Sequence, residues 1–429
     1  MAEQARDGRP TSGKPTYKLT DKSMDPSIWR IVGHPLVSAI HDGPLRGLGI
    51  AVKDLFAVQG FAIGVGNPQF LSEASIQEHH ASAVRLLLEA GAHVAGIAQT
   101  DEFAYSLSGV NIHYGAAPNP AAPGRISGGS SSGPAAAVSS GQAQIGLGTD
   151  TAGSIRVPAA YQGLWGIRTS SGRVRRDGVH PLSHSFDTVG ILARDAHTLA
   201  ITAEQLMPEP DSVTPVGVKI DPILDSYVDE DVRIAFSQWR SAALRDRYTQ
   251  NSAAPAADIN DSEELAITHD MLEDWLTIFN VVRGYEAWQA HGDWVSSHGN
   301  DLDPQIASRF ERDMHITAEE YERFSIQFAD ARATIRGLLG NHLFLIPTVS
   351  CVAPFAGNTD ESTRAIAQAR AATMLLTTIA GIAGLPAVNI PIRTAAGLPC
   401  GACLMGPSGS DKSVIAAAER LNRRANPPA

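Results

Sequence analysis

RISGGSSSGPAAAVSSG, Arg125–Gly141, is dominated by serine, glycine and alanine, and it runs almost directly into the apolar stretch AQIGLGTD, Ala143–Asp150. Glycine- and serine-rich runs are most often flexible linkers. This one is flanked by segments that read as ordered. PAAAV, Pro134–Val138, opens a short helix, and AQIGLGTD reads as a strand ending at Thr149 and Asp150. Upstream, GIAV (49–52), SAVRLLLEAG (82–91) and HVAGIAQ (93–99) follow one another as strand, helix and strand. That alternation predicts an α/β core with parallel pairing, and a linker has no place in the middle of it.

Working outward, residues 1–27 are polar and read as a loosely held arm, with a single domain expected over 28–429. From about 207 to 340 the character changes: DSEELAITHDMLEDWLTIFNVVRGYEAW and ITAEEYERFSIQFADARATIRGLL carry amphipathic helical patterns. Between helical parts, TQNSAAPAADIND (249–261) is a turn-rich loop. Strand-like runs return at LFLIPTV (343–349) and AVNIPI (387–392), and SVIAAAERLNRR (413–424) predicts a terminal helix. Strands at both ends that must share a core argue for one domain with a helical layer.

The composition, 43% hydrophobic and 18% charged, is that of a soluble globular protein. A net charge of −11 argues against a nucleic-acid partner, which would need a dense Lys/Arg surface. The polar N-terminus encodes neither a secretory signal nor an anchor, so a cytoplasmic location and no membrane partner are expected. The longest apolar stretch, Ala371–Ile392, is interrupted by Gly384, Pro386, Asn389 and Pro391 and reads as a buried helix followed by a strand. Three cysteines, Cys351, Cys400 and Cys403, make no disulfide framework. The CGAC pair looks like a turn entering a strand, with its thiols as small apolar filler. Fourteen histidines include no HExxH and no zinc-ligand spacing, so neither a metal nor a cofactor is expected.

What chemistry can the serine-rich stretch carry? GGSSSG ahead of a helix could cradle an anion, but it lacks the GK[ST] that a P-loop needs. Downstream, GTDTAGSIRVPA (148–159) places small residues just before Ser154. Such residues let backbone N–H groups converge on a substrate carbonyl, as an oxyanion hole requires. Ser154 is therefore a candidate nucleophile. No GxSxG elbow and no recognisable Ser–His–Asp set accompanies it. Lys53, which follows GIAV, is the candidate base, because burial disfavours its charged form. Ser130 could bridge Lys53 to Ser154.

These segments together resemble the amidase signature family of serine hydrolases. The resemblance rests on LRGLGIAVKDLF, GGSSSGPAAAVSSG and GLGTDTAGSIRVPAA. It continues through GLWGIRTSSGRVRRDGV, PLSHSFDTVGILARDA, the IPT motif, AGIAGLPAVNIPI and GLPCGACLMG, over roughly residues 45–424. It implies a central mixed, largely parallel twisted sheet covered by many helices. It implies Ser154 as nucleophile, Ser130 as bridging serine with a cis peptide bond before it, and Lys53 as base. The oxyanion hole would comprise the N–H groups of Thr151, Ala152, Gly153 and Ser154, with Asp150, Arg156 and Ser131 as support. The chain departs from many relatives at Ser127 and Ser132, and again at Thr151 and Ala152, without touching the three catalytic positions.

GVGNPQF (64–70), DEFAYSLSG (101–109) and SFDTVG (185–190) are similar to the branch holding plant-type indole-3-acetamide hydrolases and related import-receptor domains. That likeness implies a small primary amide bearing an aryl or alkyl group, with Tyr105, Phe186, Trp275 and Trp288 as candidate pocket walls. Three alternatives stay open: a urea-type hydrolase of anionic allophanate- or carboxybiuret-like substrates, a tRNA-dependent transamidase subunit, and a non-catalytic interaction module. The first would need a pocket arginine, with Arg168, Arg173, Arg175 or Arg176 as candidates. The family also suggests a homodimer.

Overall fold

A computed structural model of the chain describes residues 24–245 and 265–427. The expected loop at 249–261 and most of the expected N-terminal arm lie outside the described residues. In chain order the strands are β1 (Trp29–Val37), β2 (Gly49–Lys53), β3 (His93–Ala98), β4 (Val110–Asn111), β5 (Gly115–Ala116) and β6 (Ile145–Asp150). They continue as β7 (Trp165–Arg168), β8 (Thr188–Ala193), β9 (Val218–Lys219), β10 (Leu343–Pro347), β11 (Ala387–Arg393) and β12 (Pro399–Met405). Ten of them form one sheet in the order β1-β3-β2-β6-β8-β7-β11-β12-β10-β9, and β4 and β5 form a separate ribbon. The fold is α/β, a single domain on one mixed sheet.

The parallel part is β3-β2-β6. Every residue of β2 and of β6 is buried, as expected for strands covered on both faces. The helix Ser82–Glu89 carries the chain from β2 to β3, burying Ala83, Val84, Leu87 and Leu88. The helix Ser132–Ser139, the PAAAV segment, carries it from β3 to β6 and packs on β2 and β6. Three parallel strands therefore end on one side of the sheet. Lys53 ends β2, Asp150 ends β6, and Asp101 stands three residues beyond β3. The crevice outside the carboxyl ends of such strands is where open α/β sheets bind ligands.

The expectation of a largely parallel sheet is corrected by the pairing. Only β2–β3, β2–β6 and β9–β10 are parallel, while the other six neighbouring pairs in this sheet are antiparallel. Part of the reason is local. β11 and β12 are joined by a short turn, in which Thr394 N–H donates to Leu398 O and Gly397 N–H to Thr394 O, and a hairpin can only be antiparallel.

A helical layer covers the site side. It comprises His269–His298, Pro304–Asp313, Ala318–Leu339 and Asp360–Ala383. Each starts at a Thr or Asp cap whose side chain accepts a backbone N–H: Thr268, Asp303, Thr317 and Thr359. The helix Asp360–Ala383 is long and apolar enough to cross a membrane. Here it is core, with Met374 and every residue from Leu376 to Ala383 buried, packed against His269–His298 and Ala318–Leu339. Gly384, in the left-handed region at φ 65°, ends it, and Pro386 prevents its resumption.

Candidate active site

Lys53 is fully buried at the end of β2. Its Nζ donates to Ser130 Oγ at 2.7 Å and to Thr149 Oγ1 at 3.0 Å. Among the described residues no carboxylate pairs with it. Burial therefore dominates and lowers its pKa from 10.5 to about 7, although Asp101, Asp187 and Asp150 pull the other way. An amine in this state is an acceptor for protons at neutral pH.

Ser130 comes from the serine-rich turn before the helix Ser132–Ser139, and the Gly129–Ser130 peptide is cis. The turn is packed closely enough that a Cβ on Gly129 would lie 2.2 Å from Asp101 Oδ2. Ser131 ties this turn to the next one: its N–H donates to Ser154 O at 3.2 Å and its Oγ to Thr149 O at 3.3 Å. The serine turn and the nucleophile turn are thus held edge to edge. Among the described residues, Ser130 Oγ and Ser154 Oγ are not joined by a hydrogen bond.

The segment Thr151–Ser154 leaves β6 and feeds the helix Arg156–Gln162. Asp150 organises it. Its carboxylate accepts Gly153 N–H at 2.8 Å, Ile155 N–H at 3.2 Å and Arg156 N–H at 3.3 Å. The same carboxylate takes Arg156 Nε at 3.0 Å and Arg156 Nη2 at 2.9 Å, and Arg168 Nη1 approaches at 3.4 Å. Burial alone would raise the Asp150 pKa, but the Arg156 guanidinium, with Arg168 and the amides, holds it far below the usual carboxylate range. Gly153 sits at φ +121°, and Thr377 Oγ1 donates to Ala152 O at 2.6 Å, fixing the turn from the helical layer. Thr151 Oγ1 donates to Asp187 Oδ1 at 2.5 Å. Of the four backbone N–H groups expected to form an oxyanion hole, Gly153's is taken by Asp150. Those of Thr151, Ala152 and Ser154 have no partner among the described residues.

Ser154 lines a small cavity with Thr151, Ala152, Tyr105, Leu107, Arg283 and Arg370 among its walls. Tyr105 stands where the sequence suggested a wall. Phe186 does not line this cavity: it is fully buried and packs on Phe279 and Phe328, with ring centroids 4.5 and 5.0 Å away. Neither Trp275 nor Trp288 lines it. The four candidate pocket arginines lie elsewhere. Arg168 serves Asp150 and Phe186 O, Arg173 reaches Glu209 O and Pro210 O, Arg175 pairs with Asp177, and Arg176 reaches His184 O and Asp187 O. The arginines that do face Ser154, Arg283 and Arg370, come from the helical layer. Their positions in amphipathic helices carried no signal that marked them. Among the described residues no group of three or more His, Cys, Asp or Glu side chains is placed to hold a metal ion.

Residues 37–256 match the family model described as Amidase. Over 398 residues the chain is 34% identical to Amidase 1 of Oryza sativa subsp. japonica, covering 88% of this chain and 90% of that protein. The chain belongs to the amidase family. A second relative is the 2-amino-5-chloromuconic acid deaminase of Comamonas testosteroni, 32% identical over 93% of this chain and 86% of that one. A solved amidase crystal structure superposes with a TM-score of 0.76 at 28% identity, covering 89% of this chain and 85% of that one. This amidase is accordingly an enzyme acting on amide bonds, built on the fold its relatives share.

Proposed function

We propose that this amidase hydrolyses a small carboxamide to a carboxylate and ammonia through an acyl-enzyme on Ser154. The observation that carries the reading is Lys53: fully buried, without an ion-pair partner among the described residues, with its pKa lowered to about 7, and 2.7 Å from Ser130 Oγ. In the proposed relay Ser130 passes its proton to neutral Lys53 and takes one from Ser154, whose oxygen forms a bond to the amide carbonyl carbon. The hydroxyl contact from Ser130 to Ser154 completes with substrate bound, as catalytic hydrogen bonds commonly tighten in the complex. The developing oxyanion is held by the free N–H groups of the Thr151–Ser154 turn. As the C–N bond breaks, the proton returns from Lys53 through Ser130 to the leaving nitrogen. Water then attacks the acyl-enzyme by the same relay and restores Ser154. The Asp150 cluster positions the turn and takes no proton.

A fluorophosphonate probe tests the reading. Covalent labelling at Ser154, abolished in S154A and strongly slowed in K53M, is the expected result. An unlabelled Ser154 in the folded wild-type protein would overturn it.

A further inference from the structure

Arg283 and Arg370 both line the cavity that holds Ser154, and neither has an anionic partner among the described residues. Arg283, on the helix His269–His298, is 2% exposed. Its Nη2 donates to Asn280 Oδ1 at 3.1 Å, and its guanidinium lies over the rings of Tyr105 and Phe279 at 4.7 and 5.4 Å. Its Nε has no hydrogen-bond partner. Arg370, on the helix Asp360–Ala383, makes no hydrogen bond or ion pair through its guanidinium among the described residues, and its Nε is likewise buried and unsatisfied. The nearby carboxylate, Asp313, is already committed: it accepts Tyr105 Oη and the Nε and Nη2 of Arg312, the latter two at 3.0 and 2.7 Å. Arg309 adds a further positive charge, with a hydrogen bond to Tyr105 O.

A guanidinium with a buried, unsatisfied Nε and no counter-charge is costly, and two facing one small cavity are more so. We propose that the substrate amide carries a carboxylate within a few bonds of its scissile carbonyl, and that Arg283 and Arg370 receive it. The proposal rests on the hydrolytic reading of Ser154 and deepens it. The pKa of Arg370 agrees: burial, together with the neighbouring Arg309 and Arg283, lowers it well below the ordinary arginine value, a penalty that a bound anion removes. A neutral substrate of the same shape would leave both guanidinium groups unpaired, and sites built around a polar partner reject such analogues strongly.

The test compares malonamate, succinamate and glutaramate with neutral isosteres in which an isopropyl group replaces the carboxylate. The expected result is a kcat/KM ratio of acid amide to isostere of at least about tenfold for one pair. That ratio should fall at least about tenfold in R283Q and in R370Q, and stay unchanged in R175Q, whose arginine is on the surface. If R283Q does not fold, R283K and R370Q carry the comparison. Isosteres hydrolysed as fast as the acids, or a ratio unmoved by either cavity arginine, would overturn the proposal even with Ser154 labelled. In parallel, succinate is titrated calorimetrically into S154A protein, with and without R370Q. Succinate binding that weakens at least tenfold in the R370Q background supports the anion site even if no amide is turned over, in which case the hydrolytic reading alone fails. Binding that is absent, or equal in both backgrounds, counts against the anion site.

Discussion

Lys53 shows how one residue couples burial to chemistry. Its strand, GIAVK, is apolar because β2 is covered on both faces, and the same covering that makes the strand lowers the lysine pKa to about 7. Below that pH the amine is protonated and cannot accept the Ser130 proton, so activity should rise with pH through about 7 and level off above it. The expected limb is a tenfold loss of kcat/KM per pH unit below the midpoint, read from a pH–rate profile in constant ionic strength. K53M should lose about 10³-fold or more in kcat while remaining folded, because a methionine fills the same apolar site without a buried amine. A rate independent of pH between 5 and 9 would remove Lys53 as the base. At this scale the sequence was informative wherever register mattered: Lys53, Ser130 and Ser154 are marked by the small or apolar residues around them. Arg283 and Arg370 were not, since a lone arginine in an amphipathic helix looks like solvated charge until the tertiary fold turns it inward.

The junction between β6 and the helix Arg156–Gln162 is the element on which the site depends. Asp150 accepts three backbone N–H groups and two guanidinium side chains, so one carboxylate shapes the nucleophile turn and serves Arg156 and Arg168 as a shared counter-charge. D150N keeps the volume but leaves two buried cations with a neutral partner. The expected cost is about 3–5 kcal/mol of stability, seen as a lower Tm, with loss of Ser154 labelling at temperatures where the fold survives. The pH sign follows from the depressed carboxyl. Its stabilisation is present above about pH 4, the unfolded value, and is lost as pH falls towards the folded one. Wild-type Tm should therefore fall more steeply than that of D150N below pH 4. The pair was legible only through the family resemblance, since Asp150 ends a strand and Arg156 opens the next helix, and Arg168 joins it only because β7 lies in the same sheet. The strand β1 escaped the sequence for a related reason: an edge strand, partly exposed and containing Gly33 and Pro35, lacks the continuous apolar run that reveals β2 and β6.

The whole molecule is held by a sheet whose order ignores chain order. Its parallel core, β3-β2-β6, comes from the N-terminal third and was foreshadowed by the strand–helix–strand pattern, while the antiparallel wing could not be read from alternation alone. In that wing β11 sits between β7 and β12, and β12 also pairs with β10, so the C-terminal hairpin is interior to the sheet. The helix Asp411–Ala425 packs on the same hairpin, and Asp411 reaches back to Ser170 N–H at 2.7 Å and Ser170 Oγ at 2.6 Å, next to β7. A chain ending at Ala383 would strip β7 and β10 of one neighbour each, leaving β7 only β8 and β10 only the two-residue β9, and would expose the buried faces of Ile167 and Ile346. Interior strands cannot be left unpaired without orphaned backbone groups, and the loss falls within one shared core. The truncated chain is therefore expected to show no cooperative thermal transition and no fluorophosphonate labelling. The full chain should unfold with coincident near- and far-ultraviolet circular dichroism transitions. A truncated chain that melts cooperatively and labels at Ser154 would mean that the N-terminal parallel core folds by itself, and that the C-terminal hairpin merely caps it.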